Sequence, residues 1–252
     1  MMPTPTYGFF ALTFALSVPF WVLGSITEDP ILPGLPSSAL MVLAPAVAAL
    51  LLVFKEGRLR AVYQFLMRLI DCNKMTLRAW GVSLGTMPAV MIGSGVWLNL
   101  GGQDLPAQQI DPSQVLLLFG VFLIAAMAEE LGWTAFATRS LCTHHGWVLA
   151  GSILGVVTVL WHIIPLIQVG RTWDWIWWWA LGSFARRILI LWLYVRGGYS
   201  VFSASLFHAM SNVSWMMFPV QGSHFNPPSV AIILCAIVLA VLTVEARSLR
   251  SR

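Results

Sequence analysis

The chain has 252 residues, 58% hydrophobic and only 10% charged, with a formal net charge of +4. Soluble domains carry roughly a quarter charged residues, so a water-soluble globule is excluded. The composition predicts an all-α polytopic membrane helical bundle, with residues 1–252 as one membrane domain and no soluble domain between its spans.

Eight transmembrane helices are predicted, over about 7–26, 38–54, 79–98, 114–138, 147–168, 174–195, 199–219 and 229–245. Apolar runs of about 17 to 23 residues suffice to cross a hydrocarbon layer of roughly 30 Å. The first run lacks the basic leader of a secretory signal and reads as a retained span. After the second, basic residues from Lys55 to Arg78 interleave with Val62, Phe65, Leu66, Leu69 and Ile70 at helical spacing. That pattern predicts an amphipathic helix lying on anionic membrane lipids, not a nucleic-acid surface. The fourth span carries Glu129 and Glu130, the fifth His162, the sixth Arg186 and Arg187, and the seventh His208 and Asn212. Trp173, Trp175, Trp177, Trp178 and Trp179 open the sixth span as an interfacial aromatic belt, with a substrate gate as the alternative. Cys72, Cys142 and Cys235 have no paired spacing, so neither a disulfide framework nor a cysteine metal site is signalled.

Charge alternates by loop. Lys55, Arg58, Arg60, Arg68, Lys74, Arg78, Arg139, Arg196, Arg247, Arg250 and Arg252 mark one set of span ends. Glu28, Asp29, Asp104, Asp111 and Asp174 mark the other, with Arg171 as their lone basic neighbour. Basic ends are retained in the cytoplasm, so a cell-membrane protein with both termini cytoplasmic is expected.

Ionisable groups inside a span cost about 2.5 to 3.5 kcal/mol each on insertion scales and therefore point to function. Glu129 lies ten residues before Arg139, Arg187 nine before Arg196, and His208 nine after Tyr199. At 1.5 Å per residue all reach a depth of about 13 to 15 Å. His162, sixteen residues past Gly146, joins them if the stretch around His144–Ala150 lies in the interface. Adjacent helix positions diverge by about 100°, so one of Glu129 and Glu130 is expected to face the centre and the other to support it. His208 and Asn212, four apart, share a face. A structural polar network is the plainer alternative, since buried polar residues also join membrane helices.

Three of these segments carry a family resemblance. Glu129-Glu130-Leu131-Gly132-Trp133-Thr134 is similar to a Glu-Glu-x-x-x-Arg motif, Trp161-His162-Ile163-Ile164-Pro165 to a histidine motif, and Phe207-His208-Ala209-Met210-Ser211-Asn212 to a His-x-x-x-Asn motif. In that order, and with Leu43-Ala44-Pro45-Ala46 before them, they resemble the CAAX-protease and bacteriocin-processing family of intramembrane endopeptidases. The motif-bearing core is about 114–219. Two positions depart from the pattern: Thr134 replaces the usual arginine and Thr158 a usual phenylalanine. Glu130 then needs another cation, and Arg186 or Arg187 is expected to supply it.

The resemblance implies hydrolysis of a peptide bond in a membrane-associated substrate, CAAX-type prenylated in eukaryotic relatives, near the cytoplasmic half of the bilayer. Glu129 is the expected general base, His162 its partner in holding water, and His208 with Asn212 the oxyanion pair. Glu130, Arg186, Arg187, Trp133 and Thr134 are expected to support them. No cofactor is required on this reading. The competing chemistry is zinc held by Glu129, His162 and His208, although the helical His-Glu-x-x-His spacing is absent. Other function classes are a non-catalytic peptide-binding or immunity protein of the same fold, and an ion or proton transporter using the buried groups as a relay.

Overall fold

In the computed structural model, which describes residues 4–27, 30–107 and 111–250, the chain is helical and contains no β-sheet among the described residues. The helices are α1 (Thr4–Ile26), α2 (Ala44–Leu66), α3 (Leu77–Leu100), α4 (Pro112–Glu130), α5 (Arg139–Gln168), α6 (Trp173–Arg196), α7 (Val201–Met216) and α8 (Pro227–Arg250). A 3-10 helix, Ser37–Leu43, leads into α2, and a π-helix, Leu131–Thr138, joins α4 to α5. Glu28, Asp29 and Arg252, used above for orientation, lie outside the described residues, as does the Arg250 side chain.

Among the described residues, five stretches are long and apolar enough to cross a membrane: Thr6–Ile26, Ser37–Ile70, Leu77–Leu100, Pro112–Gln168 and Pro227–Ser248. Two of the predicted spans fall outside this set. Helix α7 has only 16 residues, and Trp and Arg residues dilute the apolar character of α6. Both are shielded, with Arg187–Tyr194 of α6 and Ser203–Ala209 of α7 buried.

Local chemistry sets the helix starts. Thr76, Asp111, Thr172 and Ser200 each accept a backbone N–H two or three residues on, the usual N-cap arrangement. Asp71 adds a second cap from a distant segment, accepting from Ser200 Oγ at 2.8 Å and from the Phe202 amide at 3.1 Å. Two helices break where the backbone leaves helical space, α2 at Arg58 (φ 54°) and α5 at Gly146 (φ 72°). The amphipathic expectation for the segment after Lys55 takes a definite form here. Leu59, Tyr63, Leu66 and Ile70 face outward, whereas Phe65 is buried against Phe136. Arg68 turns inward and donates to Ala135 O at 2.6 Å and Tyr194 Oη at 2.8 Å. The segment is therefore strapped to the π-helix and to α6.

Packing follows small residues. A Cβ on Gly132 would stand 2.6 Å from the carbonyl oxygen of Pro45, so the π-helix touches the start of α2 backbone to backbone. Trp133 and Trp161, both fully buried, meet edge to face at 5.5 Å beside Phe9. Trp161 Nε1 donates to Ser17 Oγ at 2.7 Å. Helix α1 is thereby fastened to the helix bearing His162. In the centre, α4 and α3 pack on α7, while α5 and α8 pack on α6.

Candidate active site

A cavity of about 270 Å³ lies among these helices. Glu129, His162, Arg186, His208, Ser211 and Asn212 contribute its polar lining, and its walls are otherwise mainly apolar. The expected residues from four helices thus reach one space.

Glu130 is completely buried and fully partnered. Arg187 Nη1 donates to its Oε1 at 2.9 Å and Oε2 at 2.8 Å, Thr134 Oγ1 donates to Oε2 at 2.5 Å, and His208 Nδ1 donates to Oε1 at 2.8 Å. The cation beside Glu130 is therefore Arg187, reaching across from α6. Arg186 does not pair with it; its Nη2 donates to Ser183 Oγ at 3.1 Å and its guanidinium lines the cavity.

Glu129 is different. It is 3% exposed, and its Oε2 has no hydrogen-bond partner. Its Oε1 stands 3.9 Å from His208 Nε2. Arg186 and Arg187 both lie within coulombic range, so two carboxylates face two guanidiniums. A buried carboxylate oxygen without a partner is costly, and in a cavity it marks a place for water or substrate.

Of the two adjacent glutamates, Glu129 lines the cavity and Glu130 does not. Both address His208, because an imidazole carries its two nitrogens on different edges and the ring sits between the two carboxylates. The ladder also changes from α to π directly after Glu130, which alters the directions available to Leu131–Thr138.

The His162 ring is oriented from its own helix. Its Nδ1 lies 2.7 Å from the Thr158 carbonyl, which can only accept, so Nδ1 carries the proton and Nε2 presents a lone pair. Trp161 and Trp179 flank the ring at 4.8 and 5.4 Å. The Thr158 hydroxyl itself returns to Leu154 O at 2.8 Å and takes no part in the cavity. Trp133 and Thr134 do not line it either; the first packs the core and the second holds Glu130.

The tryptophan cluster divides. Trp173 and Trp177 point outward, as a belt requires, but Trp175, Trp178 and Trp179 line the cavity. Sequence reasoning missed Asp71, Arg68 and Tyr194 as groups that hold the site's helices. Asp71 was detectable as an acid within a basic stretch, but its partner at Ser200 is 129 residues away.

No group of three or more His, Cys, Asp or Glu side chains among the described residues converges on a common metal position. Glu129, His162 and His208 are accordingly not gathered around one position in this arrangement.

Comparison with known proteins agrees with the motifs. Residues 111–214 match the family model described as type II CAAX prenyl endopeptidase Rce1-like, a segment containing every cavity-lining motif residue from Glu129 to Asn212. The chain is also 28% identical over 232 residues to CAAX prenyl protease 2 of Methanococcus maripaludis, covering 82% of each protein.

Proposed function

We propose that this chain, a member of the Rce1-like CAAX prenyl endopeptidase family by the match over residues 111–214, is an intramembrane endopeptidase that cuts a membrane-associated peptide with water activated by Glu129. The observation that carries this reading is the contrast between the two glutamates. Glu130 is saturated by Arg187, Thr134 and His208, whereas Glu129 keeps an unpartnered oxygen at the cavity wall.

Glu129 takes a proton from a water that the His162 Nε2 lone pair helps to orient. The hydroxide adds to the scissile carbonyl, and the proton passes from Glu129 to the leaving amine. Negative charge on the carbonyl oxygen is met by His208 Nε2–H and the Asn212 amide, the donors on the α7 face of the cavity. Glu130 supports charge on His208 through Nδ1, in the way a buried carboxylate orients and stabilises a catalytic imidazole. Arg187 holds the Glu130 carboxylate in place for that task, with contacts to both of its oxygens.

For the membrane we read eight crossings. Pro112–Gln168 is two spans that reverse near Gly146, and α6 and α7 are central spans shielded from lipid by the others. Both termini then share the basic, cytoplasmic face. The non-catalytic alternative drew its support from Thr134, and Arg187 removes that support by supplying the cation.

The test is cleavage of fluorogenic peptides, prenylated and unprenylated, by protein purified in detergent, with Glu129→Gln and a chelator in parallel. Cleavage lost in Glu129→Gln and surviving chelation is the expected result. Full activity in Glu129→Gln refutes the glutamate mechanism, and loss on chelation brings back a zinc site.

A further inference from the structure

One face of α6 lines the cavity over about three turns. Trp175, Trp178, Trp179, Gly182, Ser183 and Arg186 all contribute, at the three- and four-residue spacing that keeps side chains on one side of a helix. Arg187 lies about 100° further round and leaves this face to meet Glu130. The two neighbouring arginines therefore have different surroundings. Arg187 is spent inside the protein, and Arg186 is presented to the cavity.

Arg186 is a charge without a counter-charge. Among the described residues it makes no ion pair, and its one hydrogen bond runs from Nη2 to the neutral Ser183 hydroxyl at 3.1 Å. A guanidinium carries five N–H donors, so most of its capacity has no acceptor on the protein. The cavity as a whole is cationic. Among the described residues that line it, Glu129 is the one acid, against Arg186 and Arg171. Arg171 stacks over Trp175 at 4.5 Å, which offsets part of its charge. A charge inside a helical bundle is costly unless it is paired, so Arg186 is completed by an anion that the cavity takes in.

We infer that Arg186 is a specificity residue that binds a carboxylate of the peptide substrate, at its chain end or on an Asp or Glu side chain, close to the bond that is cut. This rests on the cavity being the catalytic one proposed above. Glu129 does not take that place: it forms no ion pair with Arg186, and in the proposed mechanism its unpartnered oxygen receives the water. A carboxylate fits because the planar guanidinium offers two parallel N–H bonds to its two oxygens. An ionised carboxylate moving between apolar walls loses its hydration at heavy cost unless it meets such a cation. Peptides that lack the group gain nothing from Arg186, so the residue sorts substrates as well as holding them.

The test is peptide binding to the full chain in detergent, in a Glu129→Gln background so that bound peptide is not cut. One apolar peptide with an uncharged dye is prepared as the free acid, as the C-terminal amide, and as the amide with an Asp beside its end. At least one carboxylate form is expected to bind about 10- to 150-fold more tightly than the plain amide, the range for a charge-assisted hydrogen bond. Tight binding of the free acid alone assigns the carboxylate to the chain end, and tight binding of the Asp form alone assigns it to a side chain. Adding Arg186→Gln should collapse the preference to within about threefold. Arg186→Lys, which keeps the charge and loses the fork, should retain only part of it, and carries the test if Arg186→Gln does not fold.

Equal binding of all three forms overturns the inference, as does a preference that survives Arg186→Gln. So does a variant that weakens all three forms alike, the signature of a merely structural arginine. Binding does not depend on turnover. A peptide that binds selectively yet is never cut by the wild-type chain counts against the glutamate mechanism and leaves the role of Arg186 standing.

Discussion

Replacing Arg187 with methionine is the sharpest test of how the site is held. The substitution keeps much of the apolar stem but strands Glu130, 0% exposed, with only Thr134 and His208. Two charge-assisted contacts, at 2.8 and 2.9 Å, are lost together. Removing one partner of a buried pair typically costs about 3 to 5 kcal/mol, because the remaining charge stays desolvated. At about 2 to 4 °C per kcal/mol for a chain of this size, a detergent melt should fall by about 6 to 20 °C.

The reasoning also specifies a rescue. In Arg187→Met/Thr134→Arg, the new guanidinium stands at a position whose side chain already reaches the Glu130 carboxylate, and it has the space that Arg187 vacates. The melt should recover by at least about half of the loss. A single Arg187→Met variant melting within about 2 °C of wild type, a shift worth less than about 1 kcal/mol, would refute the view that this pair holds the site.

Other outcomes follow from the same geometry. Glu130→Gln should lower the melt, since it unbalances Arg187, whereas Glu129→Gln should leave it unchanged or raised while abolishing cleavage; equal effects on both readouts would undo the proposed division of labour. Gly132→Ala should cost about 1 to 3 kcal/mol because its Cβ meets Pro45 backbone, which cannot rotate away, and an unshifted melt would show that the π-helix yields instead. Asp71→Ala removes the distant cap of α7 and should cost about 1 to 2 kcal/mol, with a fall in kcat larger than any change in KM as His208 loses its fixed position. Unaltered kcat in that variant would mean α7 is held well enough by Ser200 alone.

The membrane class and the helical pattern were legible in the chain because they depend on properties each segment carries by itself. Apolar length determines what can span hydrocarbon, and caps such as Thr76, Asp111, Thr172 and Ser200 mark helix starts within a few residues. The polar groups that line the cavity together were legible too, since Glu129, His162, His208 and Asn212 are expensive to insert in apolar segments.

Relations between segments had to wait for the tertiary structure. Arg186 and Arg187 are equivalent as sequence neighbours, and only the packing of α6 decides that Arg187 meets Glu130 while Arg186 lines the cavity. Helical periodicity separates Glu129 from Glu130, yet one imidazole with nitrogens on two edges links the two, Glu129 at the cavity wall and Glu130 behind it. The division of the tryptophans between belt and cavity wall, and the inward turn of Arg68 in a stretch that reads as a membrane-surface helix, have the same origin. Side-chain type and spacing report what a segment can bury, whereas the partner of a buried charge is set by which distant helix packs against it.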